Sequence, residues 1–348
     1  MLENPTAERR SMRMDGYKVR YWFYDVDARP KPLLVMVHGF RGDHHGLQLI
    51  ADALRDRYHV VIPDLPGFGR SEPFPPEAEG TAETGGADGA GRHNVANYVR
   101  FLRSFIQRLT DGAVNPESDH GVALLGHSFG SVVAAHLAAE SPAMVQRLIL
   151  VNPISEPALT SDRVWASQVA DTYYSLGSKL PFGLGDKLLR SNTATDIMSR
   201  ELTTTQDPEL REYIVNQHRA YFGSYAEKRV IREAYVSSIS RTVAEVAPLL
   251  TMPVLLITGG RDPMGSPESQ RRMAAWIRRR REEQLPDVGH LIHYEKAPEV
   301  AAWVDEFLTS PDPEPVEIHD ELPPLDTAKP NTSQLTQLLP VVKRRRED

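Results

Sequence analysis

Residues Gly126-His127-Ser128-Phe129-Gly130 set a serine between two glycines. A serine hydroxyl becomes a useful nucleophile only when a base removes its proton and a third group orients the base. G-x-S-x-G also marks ordinary turns, so its context matters. Here an apolar run at 122–125 leads into it and a helical stretch at 131–139 follows. That is the strand–turn–helix setting of a nucleophile elbow. Gly126 and Gly130 have a steric reason, because side chains two places before and after the serine would clash where strand and helix crowd together. A base is at hand in Val288-Gly289-His290-Leu291-Ile292-His293, late in the chain. His290 is the expected base, with His293 as its rival. The acid expected to orient it is Asp262, which follows Gly259-Gly260-Arg261 and the apolar run 254–257. Glu156, after another strand end, is the reserve. His38-Gly39-Phe40 follows a further apolar run, and the backbone N–H groups of Phe40 and Phe129 can form an oxyanion hole. Preorganised donors of this kind contribute about 3–4 kcal/mol each.

These residues need a scaffold that brings distant strand ends together. Continuous apolar runs at 33–37, 60–62, 122–125, 148–151 and 254–257 suit parallel strands buried on both faces. Helical periodicity between them, as in Val95, Val99, Leu102, Ile106 and Leu109, suits crossover helices. Residues 17–24 alternate enough to read as an antiparallel edge strand. The expected fold class is α/β, a mostly parallel twisted sheet with flanking helices. Active sites of such sheets lie at the carboxyl ends of the strands.

The alternation breaks at residues 154–247, where helical patterns appear without a buried strand and Asp207-Pro208 reads as a helix start. The chain therefore divides into a flexible N-terminus at 1–14, a core at 15–153, a helical cap at 154–247, the rest of the core at 248–309, and a disordered tail at 310–348. A Gly/Ala/Glu-rich loop at about 77–92 and the proline-rich tail lack the apolar surface to offset the entropy of ordering. The cap's aromatics, among them Trp165, Tyr173, Tyr174 and Phe182, read mainly as the cap's own core and secondarily as pocket lining.

The chain resembles the lid-bearing α/β-hydrolase superfamily over most of residues 15–309. HGF at 38–40, DLPGFGRS at 64–71, GHSFG at 126–130, GGRD at 259–262 and GHLIHYEKAPE at 289–299 carry the likeness, in the family's Ser, Asp, His order. The resemblance implies Ser128 as nucleophile, Asp262 as acid, His290 as base and Phe40 and Phe129 as oxyanion donors. It also implies that residues 154–247 cover the site. The expected function is a serine hydrolase that cleaves an ester, thioester or related acyl compound through an acyl-enzyme. Carbon–carbon bond hydrolysis and acyl transfer use the same triad and stay open, as does a non-catalytic ligand-binding member of the fold. The expected partner is a small molecule with an apolar acyl or aromatic group, and no cofactor or metal is called for.

Composition narrows the field further. A net charge of −7 gives no basic face for nucleic acid. The absence of cysteine excludes thiolate chemistry and disulfides. No apolar run approaches the ~20 residues of a membrane helix, and the polar start carries no secretory pattern, so a cytoplasmic protein is expected. Asp43-His44-His45 can be taken for metal ligands, but neighbouring side chains are expected to diverge, which favours a polar loop near the pocket mouth. Gly67-Phe68-Gly69 lacks the third glycine of a dinucleotide loop, because Glu72 stands there.

Overall fold

The computed structural model describes residues 7–25, 27, 29–76, 91–115, 117, 121–157, 164–181 and 183–316, without the side chains of 164–170. Most of the expected 77–92 loop and residues 317–348 of the expected tail lie outside them.

The apolar runs become the parallel centre of one sheet. The strands are β1 (Ala7–Met14), β2 (Tyr17–Tyr24), β3 (Leu33–Val37), β4 (His59–Pro63), β5 (Val122–His127), β6 (Val145–Val151), β7 (Val254–Gly259) and β8 (Arg280–Leu285). Their order is β1-β2-β4-β3-β5-β6-β7-β8. β2 is antiparallel to both of its neighbours, and every other pairing is parallel. Alternation sorts the side chains: Val35, Val37 and Leu124 join one core, while Leu34, Met36 and Leu125 join the other.

Between the strands run α1 (Gln48–Leu54), α2 (Val95–Leu109), α3 (Phe129–Glu140), α4 (Val164–Lys179), α5 (Leu184–Leu189), α6 (Asn192–Leu202), α7 (Pro208–Tyr221), α8 (Lys228–Ser240), α9 (Pro267–Ala275), α10 (Ile292–Glu295) and α11 (Ala297–Thr309). α2 and α3 cover the first core, and α1 and α11 cover the second. α3 is apolar nearly all round, as a helix buried on every side must be. α4 to α8 all fall between β6 and β7, in the expected helical insertion. Asp207 caps α7 by accepting from Glu209 N at 2.9 Å, with Pro208 in the first turn.

Three expectations need correction at the margins. Residues 7–14, read as a flexible N-terminus, form β1 and pair along all of β2, so β2 is not an edge. β8 has the sequence RREEQL and no apolar run, yet it completes the far edge. Charged side chains suit an edge strand, where one backbone rim faces water and further pairing must be discouraged. Residues 310–316, assigned to a disordered tail, lie against the domain. Asp312 pairs with Arg147 at 2.7 Å, and Val316 N donates to Arg278 O at 2.7 Å. Pro311, Pro313 and Pro315 forbid a helix but leave Asp312 and Val316 free to bond from an extended strap. Among the described residues, no helix is long and apolar enough to cross a membrane.

Candidate active site

Ser128 sits between β5 and α3 with φ 54° and ψ −122°, a backbone conformation rarely adopted by a side-chain-bearing residue. Gly126 and Gly130 permit it. A Cβ on Gly126 would strike the Gly130 carbonyl, and one on Gly130 would strike the Val37 carbonyl. The strand, the elbow and the end of β3 can approach this closely only through glycine.

The loops after β5, β7 and β8 then meet. His290 Nε2 lies 2.9 Å from Ser128 Oγ. On its other side, His290 Nδ1 lies 2.9 Å and 3.0 Å from the Asp262 carboxylate oxygens. An ionised carboxylate only accepts, so Nδ1 carries the proton and Nε2 turns its lone pair to the serine. Asp262 is itself held by Met264 N, which donates to Oδ1 at 2.8 Å. The three side chains are all buried.

Neighbours not singled out from the sequence hold this arrangement. Asn152, at the end of β6 with φ 42°, donates from Nδ2 to the carbonyls of Gly289 at 2.9 Å and His290 at 3.0 Å. Its Oδ1 accepts from Gly259 N at 2.7 Å. One amide thereby ties the histidine loop to the strand that carries Asp262. The available signal was a polar residue with a following proline, Asn152-Pro153, at the end of a buried strand.

His38 and His127 bond to backbone. His38 Nε2 accepts from Leu65 N at 2.9 Å, so its Nδ1 donates to Gly39 O at 2.8 Å. His127 Nε2 donates to the His290 carbonyl at 3.3 Å. Burial pushes the His127 pKa down to about 3 and that of His293 well below its ordinary value. Both rings are therefore neutral near pH 7 and add no positive charge beside His290. His293 lies against His127, with ring centres 3.9 Å apart, and it does not reach Ser128 in place of His290. Glu156 accepts from Ser266 N at 2.9 Å, so it braces the start of α9 and does not meet His290.

Phe40 and Phe129 flank the serine. Phe129 is the first residue of α3, where the N–H has no acceptor within the helix. The Phe40 loop also comes close, because a methyl group on Gly39 would stand 3.2 Å from Ser128 Cβ.

Ser128 and His290 open into a cavity of about 240 Å³. The core supplies Phe40, Phe129 and Leu291, while the insert supplies Met198, Leu202, Tyr235 and Ile239. Tyr174, Tyr221 and Phe222 line it as well, so among the described aromatic side chains of the insert more face the cavity than the sequence reading allowed. The sequence counts residues but not the direction in which short helices turn them. Trp165 and Phe182 lie outside the described side chains.

Asp43-His44-His45 needs a second correction. A tight 3₁₀ turn over His44–Leu47 curls these side chains together, so that one ligand-type atom from each lies within 4.8 Å of the others. Each Nδ1 is engaged, His44 with Asp64 at 3.1 Å and His45 with Asp43 at 2.9 Å. Asp64 also accepts from His44 N at 3.1 Å and Arg70 N at 2.8 Å, and burial pushes its pKa up to about 6. Gly67 and Gly69, both at positive φ, shape the loop beside it. The same loop meets the insert, where Gly69 N donates to Ser224 O at 2.6 Å and Ala226 N to Gly67 O at 2.8 Å.

A sheet of this order, a serine at a strand–helix elbow and a helical insert that lines the cavity define a class. The family model for the α/β hydrolase fold matches residues 32–297, and the chain belongs to that family. It is 33% identical over 152 residues to the dihydrolipoyllysine-residue acetyltransferase component of the acetoin cleaving system of Cupriavidus necator, covering 44% of this chain and 34% of that protein. It is 30% identical over 149 residues to a pimeloyl-[acyl-carrier protein] methyl ester esterase of Legionella pneumophila, covering 42% of this chain and 48% of the esterase. The matches thus span less than half the length of either curated relative. Among solved structures, the enol-lactonase of Burkholderia xenovorans superposes with a TM-score of 0.67 at 18% identity, over 86% of this chain and 100% of that one. At that identity the likeness is one of fold.

Proposed function

We propose that this protein is a serine hydrolase that cleaves an ester, thioester or related acyl bond, with Ser128 as nucleophile, His290 as base and Asp262 as its orienting acid. The observation that carries the proposal is the unbroken run from Asp262 through His290 to Ser128, with both ring nitrogens of His290 at hydrogen-bonding distance. His290 Nε2 takes the hydroxyl proton as Ser128 Oγ adds to the carbonyl. The Phe40 and Phe129 N–H groups receive the oxyanion. The same imidazole, now protonated, passes its proton to the leaving group, and water repeats the cycle on the acyl-enzyme. No cofactor or metal enters this sequence.

The apolar lining supports a substrate with an apolar acyl or aromatic group, and the helical insert is its cover. The esterase relative supports ester cleavage. A purely ligand-binding member of the fold would have no need to keep all three side chains in bonding distance.

The test is labelling with a fluorophosphonate probe, followed by a screen of p-nitrophenyl esters, acyl-CoA thioesters and aryl diketo acids. Wild type should take the label and Ser128→Ala should not, with kcat lowered by about 10⁴–10⁶. Labelling of the Ser128→Ala protein would sink the assignment. Cleavage of diketo acids alone would move the reaction to carbon–carbon bonds.

A further inference from the structure

Arg41 follows Phe40 directly and lines the cavity, yet only 2% of it is exposed. No ion pair joins it to a carboxylate among the described residues. Its nitrogens donate instead to three parts of the helical insert. Nη2 reaches the Leu189 carbonyl at 2.8 Å, Nε the Phe222 carbonyl at 3.2 Å, and Nη1 the Tyr174 hydroxyl at 3.3 Å. Leu189 ends α5, and Phe222 is the cap residue after α7. Carbonyls at such ends lack helical partners, and a cation is favoured there.

The backbone of Arg41 is as unusual as its side chain. Gly42 N donates to Gly39 O at 3.1 Å, which closes a turn with Phe40 and Arg41 at its centre. Arg41 has φ 62° while Phe40 is not at positive φ. That is the pattern of a type II turn, whose third position favours glycine or asparagine. A long side chain stays in this region only when its surroundings hold it there. The Gly39 carbonyl is pinned by His38 Nδ1 as well as by Gly42 N. Across a trans peptide the Phe40 N–H points the opposite way. The turn therefore sets the direction of that donor.

We infer that Arg41 is a positioning residue, whose guanidinium clamps the helical insert onto the turn that aims the Phe40 N–H at the reacting carbonyl. The inference rests on the serine-hydrolase reading above. A counter-charge for an acidic substrate is the weaker alternative, because all three guanidinium nitrogens already donate to protein atoms and a carboxylate prefers two adjacent free N–H groups.

The experiment compares R41A and R41G with wild type on p-nitrophenyl acetate and p-nitrophenyl octanoate, with circular dichroism to confirm folding. Alanine removes the clamp and still resists positive φ, so R41A should lose about 10- to 100-fold in kcat on the acetate with KM within about threefold, on the scale of a misplaced oxyanion donor. Glycine removes the clamp but accepts the turn, so R41G should recover acetate kcat to within about fivefold of wild type. Both variants should raise KM for the octanoate, which reaches the insert. A trifluoromethyl ketone inhibitor should weaken in step with acetate kcat. Wild-type kcat in R41A, or R41G no better than R41A, would overturn the inference. So would losses confined to esters that carry a carboxylate, which would make Arg41 a counter-charge. Should R41A not fold, an unchanged octanoate KM in R41G would overturn it equally. A wild-type protein that takes no fluorophosphonate and cleaves neither ester would instead overturn the hydrolase reading.

Discussion

At the carboxyl edge of the sheet, directional bonds fix the site. His290 is held by Asp262 on one nitrogen, its loop is tied by Asn152 and His127, and Asp262 is braced by Met264 N. Across the same cavity the insert presents Met198, Leu202, Ile239 and aromatic faces, which offer shape in place of directional bonds. Bonds of the first kind fail when atoms move by an ångström. Apolar lining of the second kind changes in steps of a methyl group and tolerates substitution. Under the proposed function, the contrast assigns bond-making to the sheet and choice of substrate to the insert.

The largest effects should come from the sheet side. Asp262→Asn should fold normally and lose up to about 10⁴ in kcat by favouring the wrong imidazole tautomer. Glu156→Gln should stay within about twofold of wild type. If the two results are exchanged, Glu156 is the acid. Asn152→Ala leaves the Gly289 carbonyl and the Gly259 N–H buried without partners and the His290 carbonyl with His127 alone, so it should lower stability by about 2–3 kcal/mol. It should also lower kcat by about 10- to 100-fold with little change in KM. A stability loss without a kcat loss would make Asn152 a structural brace only.

On the insert side, Met198→Ala and Ile239→Ala should shift the preferred acyl chain to a longer one by a few-fold in kcat/KM, since each removes about 1–3 kcal/mol of apolar contact. Their fluorophosphonate labelling rates should match wild type. A collapse of labelling in either would break the division between the two regions.

The last effect is on stability alone and lies beside the seam with the insert, where Asp64 ties His44 to the loop that ends at Arg70. Its pKa, raised to about 6 from an ordinary 3.8, means that the folded protein keeps a proton which the unfolded chain has lost. Stability from this group is therefore greatest in acid and declines as pH rises through about 6. Asp64→Asn cannot titrate, so the stability gap between wild type and variant should narrow by at most about 3 kcal/mol from pH ~4 to ~6. Urea midpoints across that range would measure it, and a constant gap would mean that the buried carboxyl stays ionised.

Legibility in the sequence followed burial. The central strands declared themselves because both faces are covered, which forces runs such as Leu33–Val37 to be apolar throughout. β1 and β8 did not, because Ala7–Met14 and Arg280–Leu285 keep charged side chains toward water and take their strand character from pairing. In the candidate site, Ser128, His290 and Asp262 were readable from glycine-flanked motifs and strand ends. Arg41 was not, since its position depends on where α5 and α7 end, and no local pattern encodes that meeting. The Asp43-His44-His45 cluster misled for the opposite reason. An extended chain would send the three side chains apart, but a 3₁₀ turn wraps them together.

The strap at 311–316 has a practical consequence. Val316 bonds to Arg278, just before β8 begins, whereas the cavity opens where the parallel strands end. The six residues of β8 span roughly 20 Å, so Val316 lies at the rim of the sheet opposite the entrance. A bead, an affinity handle or a fluorescent fusion joined at Val316 in place of residues 317–348 should leave the mouth facing solution, and immobilised protein should keep its access to bulky acyl donors.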